Sequence, residues 1–191
     1  MRIGVLGGSF DPVHLAHLTV AEAAAAGLGL AQVRFVPAAE QPFKPKGHHA
    51  AAQHRVAMLE LALADRAEFV LDLREIERGG ISHTVETLAS LRHDFPGDEL
   101  FLMVGADAAL ELPRWRDSSR IGEMAQVVAM SRAGAVAPAA PYIAQSITVP
   151  SLDISSSAAR QAVREGTSLG HLVPESVAEY IRTHELYYSG D

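Results

Sequence analysis

Short apolar runs alternate with longer segments whose apolar residues recur at helical spacing along this chain. The first apolar run ends at Gly7-Gly8, and an alanine-rich helical pattern follows it. The predicted strands are residues 2–6, 32–36, 68–73, 100–104, 127–130 and 146–149. The predicted helices are residues 14–26, 51–64, 85–93, 118–124, 156–165 and 174–184.

This order of elements predicts an α/β, Rossmann-like protein with a doubly wound, mostly parallel sheet. Strands that alternate with helices imply right-handed crossovers and helices on both faces of the sheet. Ligands of such sheets bind at the carboxyl ends of the strands. Residues 133–141 are rich in Ala, Pro and Gly and are predicted to form a loop. We expect one domain over residues 1–191, with a small C-terminal helical annex over about residues 155–191.

Composition places the chain among globular proteins and narrows its partners. The 191 residues are 48% hydrophobic and include no Cys, which excludes a disulfide-stapled miniprotein. The net charge of -7 disfavours a protein that coats nucleic acid, because such a protein must neutralise phosphates. No apolar run reaches about 18 residues, and the N-terminus lacks the pattern of a signal peptide. We therefore expect a cytoplasmic protein with no nucleic-acid or membrane partner.

The basic residues are distributed unevenly along the chain. Arg occurs 14 times but Lys only twice, and both lysines, Lys44 and Lys46, lie in one loop. A Lys ammonium is a compact, flexible point charge that suits a phosphate. An ordinary solvated loop would have the same composition, so this feature alone leaves both interpretations open.

A candidate phosphate-binding loop lies between the first strand and the first helix. Gly7 and Gly8 would let the backbone approach a ligand, and the helix N-terminus would add free N–H groups. His14 and His17 are three residues apart and share one face of the first helical turn. Imidazoles there can donate hydrogen bonds to phosphoryl oxygens and stabilise charge that develops in a transition state. Neither a dinucleotide-binding fingerprint nor a P-loop motif occurs in the sequence.

A second candidate anion site lies at residues 154–160. Ser155, Ser156 and Ser157 would begin a helix, and Arg160 would lie one turn further along. Hydroxyls, free backbone N–H groups and a guanidinium would together bind triphosphate oxygens. Simple capping of a surface helix would use the same serines.

These two motifs resemble the signatures of a known enzyme superfamily. Residues 7–17 look like the H-x-G-H-type signature of nucleotidyltransferases, and residues 154–160 resemble their I-S-S-T-x-x-R element. Over about its whole length the chain is similar to the bacterial nicotinate-nucleotide adenylyltransferase family. Ala16, Ser157 and His83 stand where that family usually has Gly, Thr and Tyr. Further matching segments are Pro42-Phe43-Lys44, Ser82-His83-Thr84, Gly105-Ala106-Asp107, Pro113-Arg114-Trp115 and Leu172-Val173-Pro174.

The resemblance implies transfer of AMP from ATP to nicotinate mononucleotide, with deamido-NAD and pyrophosphate as products. It implies that His14, His17 and Lys44 are catalytic, with His17 the main donor in the transition state. Mg2+ would accompany ATP and be bound by phosphate oxygens and water, because the sequence shows no dedicated carboxylate cage. The leaving pyrophosphate would be held by Ser155, Ser156 and Arg160. The implied ATP-binding set is Gly7, Gly8, Ser9, Phe10, His14, His17, Ser155, Ser156 and Arg160.

The resemblance also implies a site for the mononucleotide. Trp115, the only Trp in the chain, would stack on the pyridine ring, with a core Trp as the structural alternative. Asp107 would either accept hydrogen bonds from a ribose or cap a helix. Backbone N–H groups around Thr84 and Arg116 would bind the nicotinate carboxylate.

Other functions stay open on the sequence. A related adenylyltransferase could act on nicotinamide mononucleotide or phosphopantetheine, and a catalytically silent module could bind a nucleotide with the same fold. His48, His49 and His54 indicate a metal site only weakly, because Cys and a fixed helical pair are missing. We expect no metal site built by the protein itself. Homo-oligomerisation is compatible with the sequence.

Overall fold

A parallel sheet forms the centre of the described chain, which in this computed structural model comprises residues 1–41, 47–132, 139–150 and 152–188. Its strands are β1 (Arg2–Gly8), β2 (Gln32–Pro37), β3 (Phe69–Leu71), β4 (Glu99–Gly105), β5 (Gln126–Arg132) and β6 (Gln145–Val149). The spatial order is β3-β2-β1-β4-β5-β6, and every neighbouring pair is parallel. This is the strand order of a doubly wound Rossmann sheet, so the predicted fold class is confirmed.

Helices cover both faces of the sheet. They are α1 (Leu15–Leu28), α2 (Ala52–Leu63), α3 (Arg74–Arg78), α4 (Thr84–Asp94), α5 (Ala106–Glu111), α6 (Ser118–Met124), α7 (Ser156–Arg164) and α8 (Glu175–Thr183). Buried residues of α1, α2, α7 and α8 form one core cluster, and those of α4, α5 and α6 form another. The predicted C-terminal annex thus packs on the same face as α1 and α2. The single-domain organisation stays a prediction.

The inner strands of the sheet are buried on both faces, as β4 illustrates. Leu100, Leu102 and Val104 pack into one core cluster, whereas Phe101 and Met103 pack into the other. Successive side chains of a strand point to opposite faces, so a strand covered on both sides needs apolar residues throughout. This requirement explains the continuous apolar runs in the sequence.

Three short elements differ from the sequence prediction. The pattern does not predict α3, α5 or the 3-10 turn Leu112–Arg114, because elements of under two turns are too short to show a period. The predicted strand over residues 68–73 is also too long. Asp72 ends it by accepting hydrogen bonds at Oδ1 from the backbone N–H of Arg74 at 3.2 Å and from its Nε at 2.9 Å. Most of the predicted loop over residues 133–141 lies outside the described residues.

The connections that follow β1 and β4 lie side by side at the carboxyl ends of the strands. From β1 the strand order continues to β2 and β3 on one side, and from β4 it continues to β5 and β6 on the other. A crevice is therefore expected at the carboxyl ends of β1 and β4. Residues 9–14 follow β1 and residues 106–116 follow β4, and both segments carry predicted site residues. Within the described ranges, no helix is long and apolar enough to cross a membrane.

Candidate active site

The backbone at Gly7 is open at the end of β1. A Cβ atom added to Gly7 would meet no heavy atom within 4 Å, whereas one added to Gly8 would come within 3.2 Å of the Phe10 ring. Both glycines line a cavity of about 560 Å³. A ligand in that cavity can therefore approach the main chain closely, as the sequence predicts for this loop.

The Phe10 side chain belongs to the core. It is 1% exposed, and its ring lies edge-on to the His17 imidazole with 4.9 Å between centroids. Its φ of 48° is a left-handed conformation that non-glycine residues rarely adopt. A contact between Phe10 and ATP would therefore involve only the main chain, while the ring positions His17.

His14 and His17 form a stacked pair at the N-terminus of α1. Their ring centroids are 3.6 Å apart, and the ring planes are inclined by 20°. His14 is the N-cap residue of α1, and its backbone N–H donates to Nδ1 of His17 at 3.2 Å. Because Nδ1 is an acceptor there, the ring proton of neutral His17 lies on Nε2. The donor that His17 can offer to a ligand is thus Nε2–H.

Both imidazoles are neutral at pH 7. Burial lowers the pKa of His14 to about 4. Burial, together with the adjacent His14, also lowers the pKa of His17 well below its usual value. Nδ1 of His14 is buried and has no hydrogen-bond partner among the described residues. An unpaired buried polar atom is costly, so a polar ligand atom at this position would be stabilising.

We expect the free energy of unfolding to fall as the pH is lowered from about 6.5 toward 4. The unfolded chain binds a proton at His14 near the reference pKa of about 6.5, whereas the folded chain does so only at about 4. The unfolded state holds more protons in this window, so each such histidine lowers stability by up to about 1.4 kcal/mol per pH unit. Urea denaturation between pH 7.5 and 4.5 measures this slope.

His14→Asn is the matched variant for this measurement. Asn is a favourable N-cap residue but does not titrate, so the slope of stability against pH should become shallower. His93→Asn makes the same substitution at an exposed position in α4 and is the control for the effect of the substitution itself. Equal slopes for wild type and His14→Asn would contradict the assignment of a neutral, buried His14.

The second motif, at the start of α7, lies directly against the first loop. Ser155 is the N-cap residue of α7, and its Oγ accepts a hydrogen bond from a backbone N–H at 3.1 Å. The Ser156 hydroxyl donates to the Pro12 carbonyl at 2.9 Å. Nη1 of Arg160 donates to the Asp11 carbonyl at 2.7 Å. The structure therefore brings together the two candidate anion motifs, which lie far apart in the sequence.

These contacts define what the second motif can offer to a ligand. The first backbone N–H groups of α7 have no partner within the helix. Nη2 of Arg160 donates to Ser157 Oγ at 3.2 Å, and its Nε is buried without a partner among the described residues. Helix capping and anion binding are thus compatible, since Ser155 caps the helix while backbone N–H groups and a guanidinium remain beside the loop.

Most of the predicted substrate-binding residues line the cavity at the end of β1. Thr84, Trp115 and Arg116 share its wall with Gly7 and Gly8. Its volume of about 560 Å³ lies within the range typical of small-molecule sites. The cavity therefore joins the predicted mononucleotide residues to the predicted phosphate loop.

The start of α4 lies at this wall, to which His83 and Thr84 contribute. His83 is the extended N-cap residue of α4, and its carbonyl accepts the N–H of Glu86 at 3.0 Å. The N–H groups of Thr84 and Val85 precede that bond and have no acceptor within the helix. With the helix dipole, they favour an anion. The Arg116 guanidinium is 55% exposed and pairs with Glu86 at 3.0 Å.

One predicted substrate-binding residue, Asp107, does not line the cavity. Asp107 follows β4 as expected but is exposed in the first turn of α5 and is not part of the cavity wall. The alternative that Asp107 caps this helix is wrong, because Gly105 is the N-cap residue. A carboxylate in the first turn is still favoured by the helix dipole. Lys44 lies outside the described residues, and its role stays a prediction.

A buried ionic group behind the loop was missed by the sequence reasoning. Arg55 in α2 is 0% exposed and donates to the carbonyls of Ser9 and Ala38, both at 2.7 Å. Asp11 is 3% exposed and lies close enough to favour the charged form of Arg55. A signal was available, since Arg55 lies four residues before Leu59 on the predicted apolar face of the helix.

A second missed pair lies in the wall of the cavity. Glu75 is 7% exposed, and the Thr87 hydroxyl donates to its Oε1 at 2.5 Å. Both residues line the cavity. Glu75 belongs to the short helix α3, which the sequence pattern does not predict, so no signal pointed to it.

Comparison with known proteins assigns the chain to a class. Residues 5–162 match the family described as cytidylyltransferase-like. Since this match covers most of the chain, the protein is a cytidylyltransferase-like protein.

Relatives that match over the whole length narrow this assignment. A protein from Roseiflexus sp. (strain RS-1), named "Probable nicotinate-nucleotide adenylyltransferase", is 43% identical over 194 residues that cover 97% of each chain. A protein of the same name from Thermus thermophilus is 42% identical over 187 residues, which cover 98% of this chain and 100% of that one. The chain belongs to the nicotinate-nucleotide adenylyltransferase family.

Two solved structures share the fold. Nicotinic acid mononucleotide adenylyltransferase from Plasmodium falciparum, complexed with NaAD, superposes with a TM-score of 0.78 at 18% identity and 97% coverage of both chains. A putative nicotinate-nucleotide adenylyltransferase from Vibrio parahaemolyticus gives a TM-score of 0.74 at 16% identity, with 100% and 98% coverage. At these identities the likeness concerns the fold, and it agrees with the predicted α/β class.

Proposed function

We propose that this protein transfers the AMP group of ATP to nicotinate mononucleotide, forming deamido-NAD and releasing pyrophosphate. One observation carries this proposal. Gly7 and Gly8 belong both to the loop that precedes His14 and to the wall of the cavity that contains Trp115 and Thr84. A triphosphate at the loop and a mononucleotide in the cavity would therefore be neighbours. The names of the whole-length relatives support the same pair of substrates.

The reaction requires alignment rather than a covalent enzyme intermediate. The phosphate oxygen of the mononucleotide attacks the α-phosphorus of ATP and forms a new P–O bond. The bond from that phosphorus to the α–β bridging oxygen of ATP breaks, and its electron pair stays on this oxygen, which leaves as a terminal oxygen of pyrophosphate. Catalysis of such a displacement consists of positioning the two reactants and stabilising the charge that moves to the leaving oxygens.

His17 would stabilise that charge through Nε2–H. Its tautomer is fixed by the hydrogen bond at Nδ1, and its ring is held against Phe10, so the donor is oriented before substrate binds. The buried Nδ1 of His14 would donate to a second phosphoryl oxygen in the tautomer that carries its proton there. Both groups act as neutral donors, because burial lowers the pKa of each.

The start of α7 would hold the leaving pyrophosphate. Arg160 supplies the positive charge, and the hydroxyl of Ser155 and the backbone N–H groups of Ser156 and Ser157 supply further donors. Lys44 would add a mobile positive charge from its loop. On the other side, Trp115 would stack on the pyridine ring, and the N–H groups of Thr84 and Val85 would bind its carboxylate, with Arg116 adding positive charge nearby. The ribose contact of Asp107 stays a prediction.

A divalent metal generally accompanies ATP in nucleotidyltransferases. Among the described residues, no three His, Cys, Asp or Glu side chains are placed to hold a metal ion. His54 of the histidine-rich stretch instead lies with Nδ1 3.0 Å from the Tyr180 hydroxyl. We propose Mg2+ held by ATP phosphate oxygens and water, where it would neutralise triphosphate charge. A cytoplasmic location, homo-oligomerisation and the lack of a nucleic-acid partner stay predictions.

An assay with the purified protein tests the proposed activity. ATP, Mg2+ and nicotinate mononucleotide should give equal amounts of pyrophosphate and deamido-NAD, with the dinucleotide identified by mass spectrometry. ATP without an acceptor controls for hydrolysis, and nicotinamide mononucleotide and phosphopantetheine are the alternative acceptors. Turnover with phosphopantetheine alone would contradict the assignment. ATP binding without turnover with any acceptor would indicate a silent nucleotide-binding module.

Arg160→Ala should raise the KM for ATP about tenfold or more, because a charge-assisted hydrogen bond contributes about 1.5–3 kcal/mol. The KM for the mononucleotide should change little, since Arg160 is not part of the cavity wall. Arg164→Ala removes an exposed guanidinium one turn further along α7 and is the matched control. Unchanged ATP kinetics in folded Arg160→Ala protein would remove Arg160 from the ATP site.

A further inference from the structure

Tyr187, close to the C-terminus of the chain, reaches the first anion loop. Its side chain is 8% exposed, and its hydroxyl donates to Oδ1 of Asp11 at 2.8 Å, although the two residues are 176 positions apart. The backbone of Tyr187 has a φ of 69°, which is unfavourable for a residue with a large side chain. Such a conformation persists only where the surroundings hold it.

The Asp11 carboxylate that receives this hydroxyl has further partners. Its Oδ2 accepts the backbone N–H of His49 at 2.7 Å, and its Oδ1 accepts that of Ala50 at 3.1 Å. Burial and the neighbouring Asp11 raise the pKa of Tyr187 above its usual value, so the phenol stays a donor over the whole working range. Tyr187 is therefore a side-chain donor to a buried carboxylate that also accepts two backbone N–H groups.

Asp11 also holds the residue that is proposed to bind pyrophosphate. Its main-chain carbonyl accepts the hydrogen bond from Nη1 of Arg160 at 2.7 Å. The next carbonyl along the chain, that of Pro12, accepts the Ser156 hydroxyl at 2.9 Å. The side chain of Asp11 thus sets the direction of the same peptide groups that fix the start of α7. Loss of a hydrogen bond to the Asp11 carboxylate is therefore expected to shift the Asp11 carbonyl and, with it, the Arg160 guanidinium.

We propose that Tyr187 is a positioning residue for ATP, which acts through Asp11 to hold the first anion loop and Arg160 in one arrangement. This inference rests on the proposed function, since it assigns ATP phosphates to that arrangement. It makes the end of the chain a determinant of ATP affinity, although Tyr187 itself is not part of the wall of the mononucleotide cavity.

Tyr187→Phe tests this proposal, because it removes only the hydroxyl and keeps the buried ring. The dissociation constant for ATP, measured by titration calorimetry, and the KM for ATP should both rise about fivefold to tenfold, which is less than the full effect of a hydrogen bond to a charged group, because Tyr187 acts on ATP only through Asp11. The KM for nicotinate mononucleotide should stay within about twofold of wild type, because the cavity is unchanged. Tyr188→Phe is the matched control, since the neighbouring ring is 53% exposed.

A double-variant cycle tests the route through Asp11. Asp11→Ala removes the acceptor of the Tyr187 hydroxyl and should weaken ATP binding at least as much as Tyr187→Phe, and the double variant should be no worse than Asp11→Ala alone. Independent, additive effects would overturn the route through Asp11. If Asp11→Ala does not fold, the comparison of Tyr187→Phe with Tyr188→Phe decides the question.

The outcomes also separate this inference from the proposed function. A lowered melting temperature with unchanged ATP affinity would show that Tyr187 is merely structural and would overturn its positioning role. If wild-type protein makes deamido-NAD but Tyr187→Phe binds ATP normally, only the Tyr187 proposal fails. If wild-type protein binds ATP but makes no dinucleotide, the proposed function fails, while the effect of Tyr187→Phe on ATP binding can still be measured.

Discussion

His17→Ala is expected to lower kcat for adenylyl transfer about 100-fold or more, because removing one preorganised donor to developing charge typically costs about 3 kcal/mol. The geometry behind this expectation is specific. Nδ1 of His17 is occupied by the backbone N–H of His14, so Nε2–H is the donor available to a ligand. The Phe10 ring contacts the imidazole edge-on and limits its rotation. The measurement is the steady-state rate at saturating ATP and mononucleotide.

Two further variants separate the donor from the helix cap. In His17→Asn, the side-chain oxygen can still accept the His14 N–H, but nothing reaches the position of Nε2. In His17→Gln, an amide N–H can reach that position, but the cap is lost. If the donor is what matters, His17→Asn should be as stable as wild type and nearly as slow as His17→Ala, and His17→Gln should recover part of kcat. A folded His17→Ala protein that turns over within a few-fold of wild type would exclude His17 as the transition-state donor.

The parts of the fold that follow from periodicity could be predicted from the sequence. The strands that pack on both faces carry unbroken apolar runs, and α1, α2 and α4 are long enough to show helical spacing. Short α3 and α5 could not be found in this way, because their positions are set by local side-chain hydrogen bonds and by the end of β4. Asp72 shows the reason, since a single side chain that accepts two hydrogen bonds from Arg74 ends a strand and begins a helix.

The candidate site was predictable in its residue types but not in its contacts. Serines before a helix indicate capping or anion binding, and nothing in the sequence shows that Ser156 donates to the Pro12 carbonyl. Pairing of that kind depends on how α7 packs against the first loop, which is a tertiary property. The same limit applies to Phe10, which the motif places at the nucleotide but which the structure buries beside His17.

Nicotinate mononucleotide is expected to be preferred over nicotinamide mononucleotide by at least about tenfold in kcat/KM, and a site built to hydrogen-bond its substrate can reach factors of about 10,000. A carboxylate only accepts hydrogen bonds, whereas a carboxamide also presents an NH2 donor. The start of α4 offers the N–H groups of Thr84 and Val85 at the positive end of the helix dipole. The NH2 group of the amide would face these N–H donors without an acceptor, whereas both oxygens of the acid can accept from them.

Trp115→Ala is the matched variant for the acid-over-amide preference, because the indole would stack on the pyridine ring that both mononucleotides share. It should raise KM for both mononucleotides by a similar factor and leave the ratio of kcat/KM for acid and amide nearly constant. The carboxylate of Glu75 lies in the same wall, where its Oε1 accepts the Thr87 hydroxyl, and its remaining acceptor capacity is the competing feature that would favour the amide. Equal or reversed kcat/KM values at pH 7.5 would therefore contradict recognition by the N–H groups of α4, even with adenylyl transfer established. A ratio that collapses in Trp115→Ala would instead assign the discrimination to the indole.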